Sequence, residues 1–240
     1  AEQAVDLYYT ENRFSKIRQQ LARIPVSSFK SLPAFAVMLL LTVIHAASFY
    51  YGVHEQMVLD YGSSALFILQ GEFYRTVTAL FLHADTRHLI GNLAGMVLFA
   101  APAISLSGYG TGPFLALASG ATGNLINAHF QNNAHLSIGA STAVMGAAGL
   151  LAAWQVMNQE KGSRLNSVMP VVAGAVLVAM FSHGERTDIW AHVFGFGCGL
   201  IYGICWFYFR PVLRLPYLDP VLTAISLAAV AISFISALFL

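Results

Sequence analysis

The stretch HLSIGASTAVMGAAG, residues 135–149, is apolar enough to begin a membrane helix, but glycine, alanine, serine and threonine fill most of it. A helix that faces lipid is richer in leucine, isoleucine and phenylalanine. Small residues instead let two helix backbones approach closely inside a membrane bundle. The stretch therefore predicts a helix that packs against a neighbouring helix and carries Ser141 in its first turn.

The composition is typical of a protein that crosses the membrane several times. Of the 240 residues, 57% are hydrophobic and 10% are charged, with a mean hydropathy of +0.66. A soluble domain carries about 25% charged residues. We therefore expect an all-α, polytopic bundle of membrane helices that forms one domain. The net charge of +1 indicates no nucleic-acid partner. Cys198 and Cys205 share one apolar segment and are interpreted as packing residues.

Seven segments are candidates to span a bilayer, which takes about 20 apolar residues in a helix. They are residues 34–52, 88–107, 112–130, 139–157, 168–183, 189–209 and 218–240. Asn124 and Asn127 indicate that the third faces protein rather than lipid. Residues 1–33 contain no span, and we interpret them as a basic cytoplasmic segment that is either solvated or bound to the membrane surface.

The basic residues predict the orientation, because cytoplasmic loops are enriched in lysine and arginine. With a cytoplasmic N-terminus, nine of the twelve lie inside: Arg13, Lys16, Arg18, Arg23, Lys30, Lys161, Arg164, Arg210 and Arg214. Arg75, Arg87 and Arg186 lie outside. The even-numbered spans then run from the outer to the inner side, and the C-terminus lies outside.

The connection of residues 53–87 is long for a loop in a compact protein, and loops of this length are usually functional or disordered. This segment is too apolar to remain disordered in water, so we expect it to lie partly in the membrane interface. His83, near its end, is expected to tie this loop to the helix bundle.

Four polar residues fall at one predicted depth, just below the outer surface. His88 and Asn92 are four residues apart and share one face of the second span. Ser141 and His192 lie in the first turns of the fourth and sixth spans. Polar groups at this depth are costly unless they are buried in protein or face a water-filled cavity. We therefore expect one shared cavity that opens to the outer side.

This set has the parts of a nucleophilic site. A neutral His192 imidazole can accept the Ser141 hydroxyl proton as the serine attacks a carbonyl. His88, Asn92 and the free amides at the helix start can stabilise the oxyanion. Gly195 and Gly199 share a helix face with His192, which favours close approach to the Ser141 helix. Asp188, four residues before His192, is a candidate third member.

The same residues resemble the rhomboid intramembrane serine proteases over residues 74–199. The motifs are Arg75-x7-His83-x4-His88-x3-Asn92, then Gly139-Ala140-Ser141, then Ala191-His192-x2-Gly195-x3-Gly199. The resemblance implies a six-span core, residues 34–217, with an additional C-terminal membrane helix, residues 218–240. It implies a Ser141–His192 dyad and an oxyanion hole of His88, Asn92 and the Ser141 amide. It also implies a membrane-embedded first loop containing Arg75, and a structural role for His83.

Two positions depart from the family pattern. Thr142 stands where a second glycine usually follows the serine, so we expect a narrower oxyanion pocket or altered substrate choice. Met145 stands where an aromatic residue usually packs against the histidine, and a thioether can pack there with a weaker restraint. Gly139 and Met145 are assigned to the substrate-binding surface, with Gly139 leaving space for a substrate backbone.

Other classes of protein remain open from the sequence. Two histidines allow a metal site or haem ligation, but no His-Glu-x-x-His motif is present. A transporter or a non-catalytic binder of membrane segments shares the polar cavity without needing the dyad. We expect no metal or cofactor, transmembrane protein substrates in the lipid bilayer, and an undetermined oligomeric state.

Overall fold

A computed structural model describes residues 31–131, 134–158, 168–169, 171–172, 174, 176, 188–210 and 217–239. The connection of residues 53–87, named the outer connection for its predicted side of the membrane, contains α2 (His54–Tyr61), β1 (Ser63–Ser64), α3 (Ala65–Leu69), α4 (Arg75–Thr78) and a 3-10 turn (Ala79–Phe81). Helix α1 (Leu32–Tyr50) precedes this connection. After it, α5 (Thr86–Gly95) continues through a π-helical turn (Met96–Ala100) into α6 (Ala101–Ser107). The remaining long helices are α7 (Thr111–Gln131), α8 (Ser141–Met157), α9 (Ile189–Phe209) and α10 (Leu218–Ser236). Strand β2 (Leu136–Ser137) precedes α8.

The helices confirm an all-α, polytopic membrane protein. Among the described residues, four stretches are long and apolar enough to cross a membrane: Leu32–Tyr50, Thr86–Ser107, Ile189–Phe209 and Leu218–Ser236. Helix α8 is apolar but shorter. Six predicted spans coincide with observed helices to within two residues at each end, except that α10 ends at Ser236. The fifth predicted span, 168–183, and the basic segment 1–33 lie mostly outside the described residues.

Glycines determine how the central helices α7, α8 and α9 pack. Gly195, Gly199 and Gly203 of α9 face Thr142, Gly146 and Leu150 of α8, respectively. The sequence separation is the same in each pair, so the two helices are parallel. Helix α7 runs antiparallel to α8, because Gly123 faces Thr142 whereas Ser119, one turn earlier, faces Gly146. These directions match the alternation expected for the third, fourth and sixth spans.

Asn124 and Asn127 confirm that α7 faces protein. Both side chains are 3% exposed. Asn124 Nδ2 donates a hydrogen bond of 2.9 Å to the carbonyl oxygen of Thr76, in the outer connection. Asn127 Nδ2 donates to Asp188 at the start of α9. Polar side chains in this helix therefore satisfy buried groups of two neighbouring elements.

The outer connection is folded around Arg75. Its Nε donates to Glu72, and its Nη1 donates to the carbonyl oxygens of Leu59 at 2.7 Å and Gly62 at 3.2 Å. Burial alone raises the pKa of Glu72, but hydrogen bonds from Arg75 and Tyr74 hold it below its usual value. Burial, and then the hydrogen bond to Glu72, raise the pKa of Tyr74 to about 12. A buried, multiply bonded arginine therefore fastens α2 to α4.

Candidate active site

Ser141 is the first residue of α8 and is half-buried. The preceding backbone is held at Gly139, whose N–H donates a 2.9 Å hydrogen bond to the carbonyl oxygen of Ala79. Strand β2 pairs antiparallel with β1, with Ser137 opposite Ser63. The outer connection therefore supports the chain that leads into Ser141.

Gly139 brings the second and fourth predicted spans together. Its φ of +126° is a conformation that L side chains rarely adopt. A Cβ at this position would lie 2.6 Å from Cε1 and Nε2 of His88 and 3.5 Å from Nδ2 of Asn92. The glycine thus permits a close approach that a side chain would prevent. As a result, both predicted oxyanion donors lie against the residue two positions before Ser141.

His192 lies in the first turn of α9 and is 4% exposed. Its N–H donates to the Asp188 carbonyl oxygen at 3.2 Å. In the parallel register of α8 and α9, Gly195 lies beside Thr142, so the backbone of His192 is offset from that of Ser141 by about 3 Å along the helix axes. The tertiary structure therefore brings the first turns that carry Ser141 and His192 to nearly the same level.

Asp188 is the N-cap residue of α9 and joins three elements. Its Oδ1 accepts from the Ala191 N–H at 3.1 Å. Its Oδ2 lies 2.5 Å from Asn127 Nδ2 on α7 and 2.7 Å from His135 Nε2, which immediately precedes β2. The Asp188 side chain is 8% exposed. Its carboxylate therefore links the start of the His192 helix to the chain that leads to Ser141.

The sequence patterns do not reveal the contact between His135 and Asp188. The sequence places His135 and Asp188 more than fifty residues apart, and no helix or strand periodicity connects them. The N-cap position of Asp188 was detectable, because aspartate just before an apolar helix is a common start signal. Its additional partners, Asn127 and His135, depend on tertiary contacts alone.

His83 is buried behind the site. It is 1% exposed, and its ring lies edge-to-face with the His88 ring at a centroid distance of 5.3 Å. Burial, and then the charges of His88 and His45, lower the pKa of His83 to about 3. His83 is therefore neutral at physiological pH and packs against a predicted oxyanion residue.

Among the described residues, no group of three His, Cys, Asp or Glu side chains is arranged to hold a metal ion.

A family model for the Rhomboid domain matches residues 70–209 of this chain. The chain belongs to the rhomboid family. This match covers the outer connection from before Arg75, the helices that carry His88, Asn92 and Ser141, and all of α9. The rhomboid resemblance of the motifs is thereby confirmed, and the chain is a member of an intramembrane protease family.

Three curated relatives support the rhomboid assignment. The chain is 37% identical over 136 residues to "Rhomboid-like protease 3" of Toxoplasma gondii, covering 54% of this chain and 50% of the relative. It is 29% identical over 145 residues to "RHOMBOID-like protein 1" of Arabidopsis thaliana, covering 58% and 36%. It is 28% identical over 132 residues to "Putative rhomboid protease YdcA" of Bacillus subtilis (strain 168), covering 55% and 66%. The alignments thus span between about a third and two thirds of these relatives.

The two departures from the rhomboid pattern are both buried. Thr142 is 3% exposed, and its Cγ2 faces Gly123 of α7 and Gly195 of α9. A Cβ at either glycine would lie within 3 Å of that methyl group. The two glycines therefore accommodate the larger residue. Met145 is 2% exposed and belongs to the main hydrophobic core, and its contact with substrate stays a prediction.

Replacing Asp188 with alanine is expected to lower both the melting temperature and the turnover of the rhomboid, because it removes the cap of α9 and the bonds to Asn127 and His135. Loss of an N-cap alone costs about 1 kcal/mol. Asp188→Asn should retain most of the stability, since asparagine caps about as well as aspartate. Thermal unfolding in detergent and cleavage of a transmembrane substrate measure the two effects. Equal behaviour of the two variants would contradict this role.

Proposed function

We propose that this protein is a serine endopeptidase that hydrolyses peptide bonds in or near transmembrane segments of membrane proteins. Ser141 is the nucleophile, and His192 is its general base. The observation that carries the proposal is the glycine-mediated parallel packing of α8 and α9, which leaves the backbones of these two residues offset by only about 3 Å along the helix axes. Membership of an intramembrane protease family supports the same reaction.

The chemistry follows from the residue types at the site. His192 accepts the hydroxyl proton while Ser141 Oγ attacks the substrate carbonyl carbon, which produces a tetrahedral oxyanion. His88, Asn92 and the Ser141 backbone amide donate hydrogen bonds to that oxygen. The imidazolium then protonates the leaving amine, and an acyl-enzyme remains. Water, deprotonated by the same imidazole, hydrolyses the ester and restores Ser141.

The start of a helix suits this reaction. Amide N–H groups in the first turn of α8 have no acceptor within their own helix, and the helix dipole favours negative charge there. Gly139 allows the His88 ring and the Asn92 amide to approach the backbone two residues before Ser141. Three kinds of donor thus lie along the Gly139–Ser141 segment, which supports the proposed oxyanion hole.

The proposed orientation has a cytoplasmic N-terminus and a site that opens to the outer side of the membrane. It rests on the asymmetry of basic residues. In the same proposal, residues 1–33 form a cytoplasmic segment, residues 34–217 form the six-helix core, and residues 218–240 add one further membrane helix. The substrates are transmembrane proteins in the same lipid bilayer.

A fluorophosphonate probe tests the nucleophile directly, because it reacts with activated serines. Purified wild-type protein should be labelled, and Ser141→Ala should lose labelling and cleavage of a transmembrane substrate in liposomes. Ser137→Ala is the matched control, since it removes a nearby hydroxyl but keeps the backbone pairing with Ser63. Unchanged labelling of Ser141→Ala would refute the assignment. Wild-type protein that binds the substrate without labelling or cleavage would support a non-catalytic binder or transporter instead.

A further inference from the structure

We propose that the C-terminal helix α10 braces the chain that presents Ser141, and that Asp219 and Phe234 are positioning residues for the nucleophile. The inference rests on the proposed function. It assigns α10 a role in the activity of the core, beyond anchoring the chain in lipid. Contacts at the two ends of α10 carry it.

Asp219 fixes the beginning of α10 to the turn between α6 and α7. Its Oδ1 accepts hydrogen bonds from the Thr111 N–H at 2.8 Å, the Thr111 hydroxyl at 2.7 Å and the Gly110 N–H at 3.2 Å. A Cβ on Gly108 would lie 2.5 Å from the same oxygen, and this glycine has a φ of +129°. A carboxylate from a distant helix thus caps α7, where the helix dipole favours negative charge.

Arg210 occupies the other side of the same turn. Its Nη1 donates a 2.9 Å hydrogen bond to the carbonyl oxygen of Leu106, near the end of α6. A cation at the C-terminal end of α6 and an anion at the N-terminal end of α7 both complement the helix dipoles. The end of α9 and the start of α10 are therefore fastened to one turn, and α10 begins from a defined position.

Phe234 fixes the opposite end of α10 to the outer connection. Its ring lies 5.5 Å from that of Tyr61 and 5.7 Å, edge-to-face, from that of Phe81, between ring centroids. Val230, one turn earlier, also packs against the main core. Aromatic pairs at these distances are favourable beyond the area that they bury. Because α7 and α10 start together and both end near the outer connection, the two helices are parallel.

The outer connection transmits this contact to the nucleophile. The Thr78 hydroxyl donates to the Tyr61 carbonyl oxygen at 2.7 Å, which ties the end of α4 to the end of α2. The 3-10 turn that contains Phe81 begins at Ala79, whose carbonyl oxygen accepts from Gly139. Ser141 follows two residues later. Phe234 thus supports the turn that holds the Ser141 chain through one backbone hydrogen bond.

One face of α10 is occupied and the opposite face is free for lipid. Ile225, Ile232 and Ile235 are each at least 46% exposed, whereas Ser233 is 8% exposed and Phe234 is half-buried. A helix that served only as a lipid anchor would not need the hydrogen bonds that Asp219 accepts from Gly110 and Thr111. The combination of a capping carboxylate and an aromatic contact indicates a docked element of the core.

The test compares Phe234→Ala with Ile232→Ala, a matched truncation on the lipid-facing side of the same helix. If α10 supports the chain that presents Ser141, Phe234→Ala should lower kcat and the fluorophosphonate labelling rate by about tenfold, because small displacements of catalytic groups reduce the rate strongly. KM for a transmembrane substrate should change by less than about twofold, because substrate contacts remain. Phe234→Tyr should restore kcat, and Ile232→Ala should match wild type.

A second pair of variants tests the other end of α10. Asp219→Ala removes the cap of α7, whereas Asp219→Asn retains an oxygen that can accept the Thr111 hydrogen bonds. The brace predicts lower kcat for the alanine variant and near-normal kcat for the asparagine variant. If Phe234→Ala and Asp219→Ala lower the melting temperature but leave kcat and labelling unchanged, the brace is overturned and α10 is structural only. Wild-type protein that neither labels nor cleaves would instead refute the proposed protease function.

Discussion

Ser141→Ala, His192→Ala and the double variant are expected to lose the same amount of activity, roughly 10³-fold or more in kcat/KM. A nucleophile and its base act as one unit, so the second substitution removes nothing that the first has left. The residual rate then comes from substrate binding and from the donors of His88 and Asn92. This equality is a more specific signature of a dyad than the loss of activity in either single variant.

The measurement is cleavage of a transmembrane substrate in liposomes by the three variants at equal protein density. His129→Ala controls for the loss of a histidine, since in the part of the chain that the structure describes this ring bonds to the carbonyl oxygen of Leu125, one turn earlier in its own helix. It should cleave like wild type. If the fold-reduction in kcat/KM of the double variant equals the product of the two single reductions, Ser141 and His192 act independently, which contradicts the dyad.

Gly199→Ala is expected to destabilise the bundle by about 1–3 kcal/mol, the usual cost of overpacking a core, and to reduce turnover. The added Cβ would meet the Gly146 carbonyl oxygen and would lie 2.6 Å from the Gly146 carbonyl carbon. These are backbone atoms, so relief requires α8 and α9 to separate. Separation moves His192 away from Ser141, because the two residues lie on these two helices.

Gly197→Ala is the matched control on α9. A Cβ there has nothing within 4 Å, and alanine is the better helix former by up to about 1 kcal/mol. Its melting temperature and turnover should equal or exceed those of wild type. Melting curves in detergent and liposome cleavage measure both variants. Similar losses in Gly197→Ala and Gly199→Ala would show that helix packing at Gly199 does not control the site.

Much of the helical architecture follows from local composition. Apolar stretches of about 20 residues must be helical in a bilayer, because backbone groups in hydrocarbon need partners within their own segment. Hydropathy therefore predicts the ends of α7 and α9 to within one residue. Small residues such as Gly146 and Gly199 likewise predict a close helix contact, since close approach requires them.

The order and spacing of a few residues in the first turns of helices predict the candidate site. Ser141 and His192 could be placed at one depth because alternating spans determine which helix starts share a membrane face. Family membership is confirmed by the domain match. The sequence alone does not reveal the contact between Gly139 and His88, because it depends on the positive φ of Gly139 and on its hydrogen bond to Ala79.

Contacts between segments that are distant in the sequence are determined by the tertiary structure. Local periodicity reports which face of a helix is buried, but it carries no information about the partner on that face. The cap of α7 by Asp219, the contact of Phe234 with Phe81 and the pairing of His135 with Asp188 are all of this kind. The glycines and the apolar runs of this chain thus specify the helices and their close approach. The polar and aromatic contacts across the folded bundle determine where Ser141 and His192 are held.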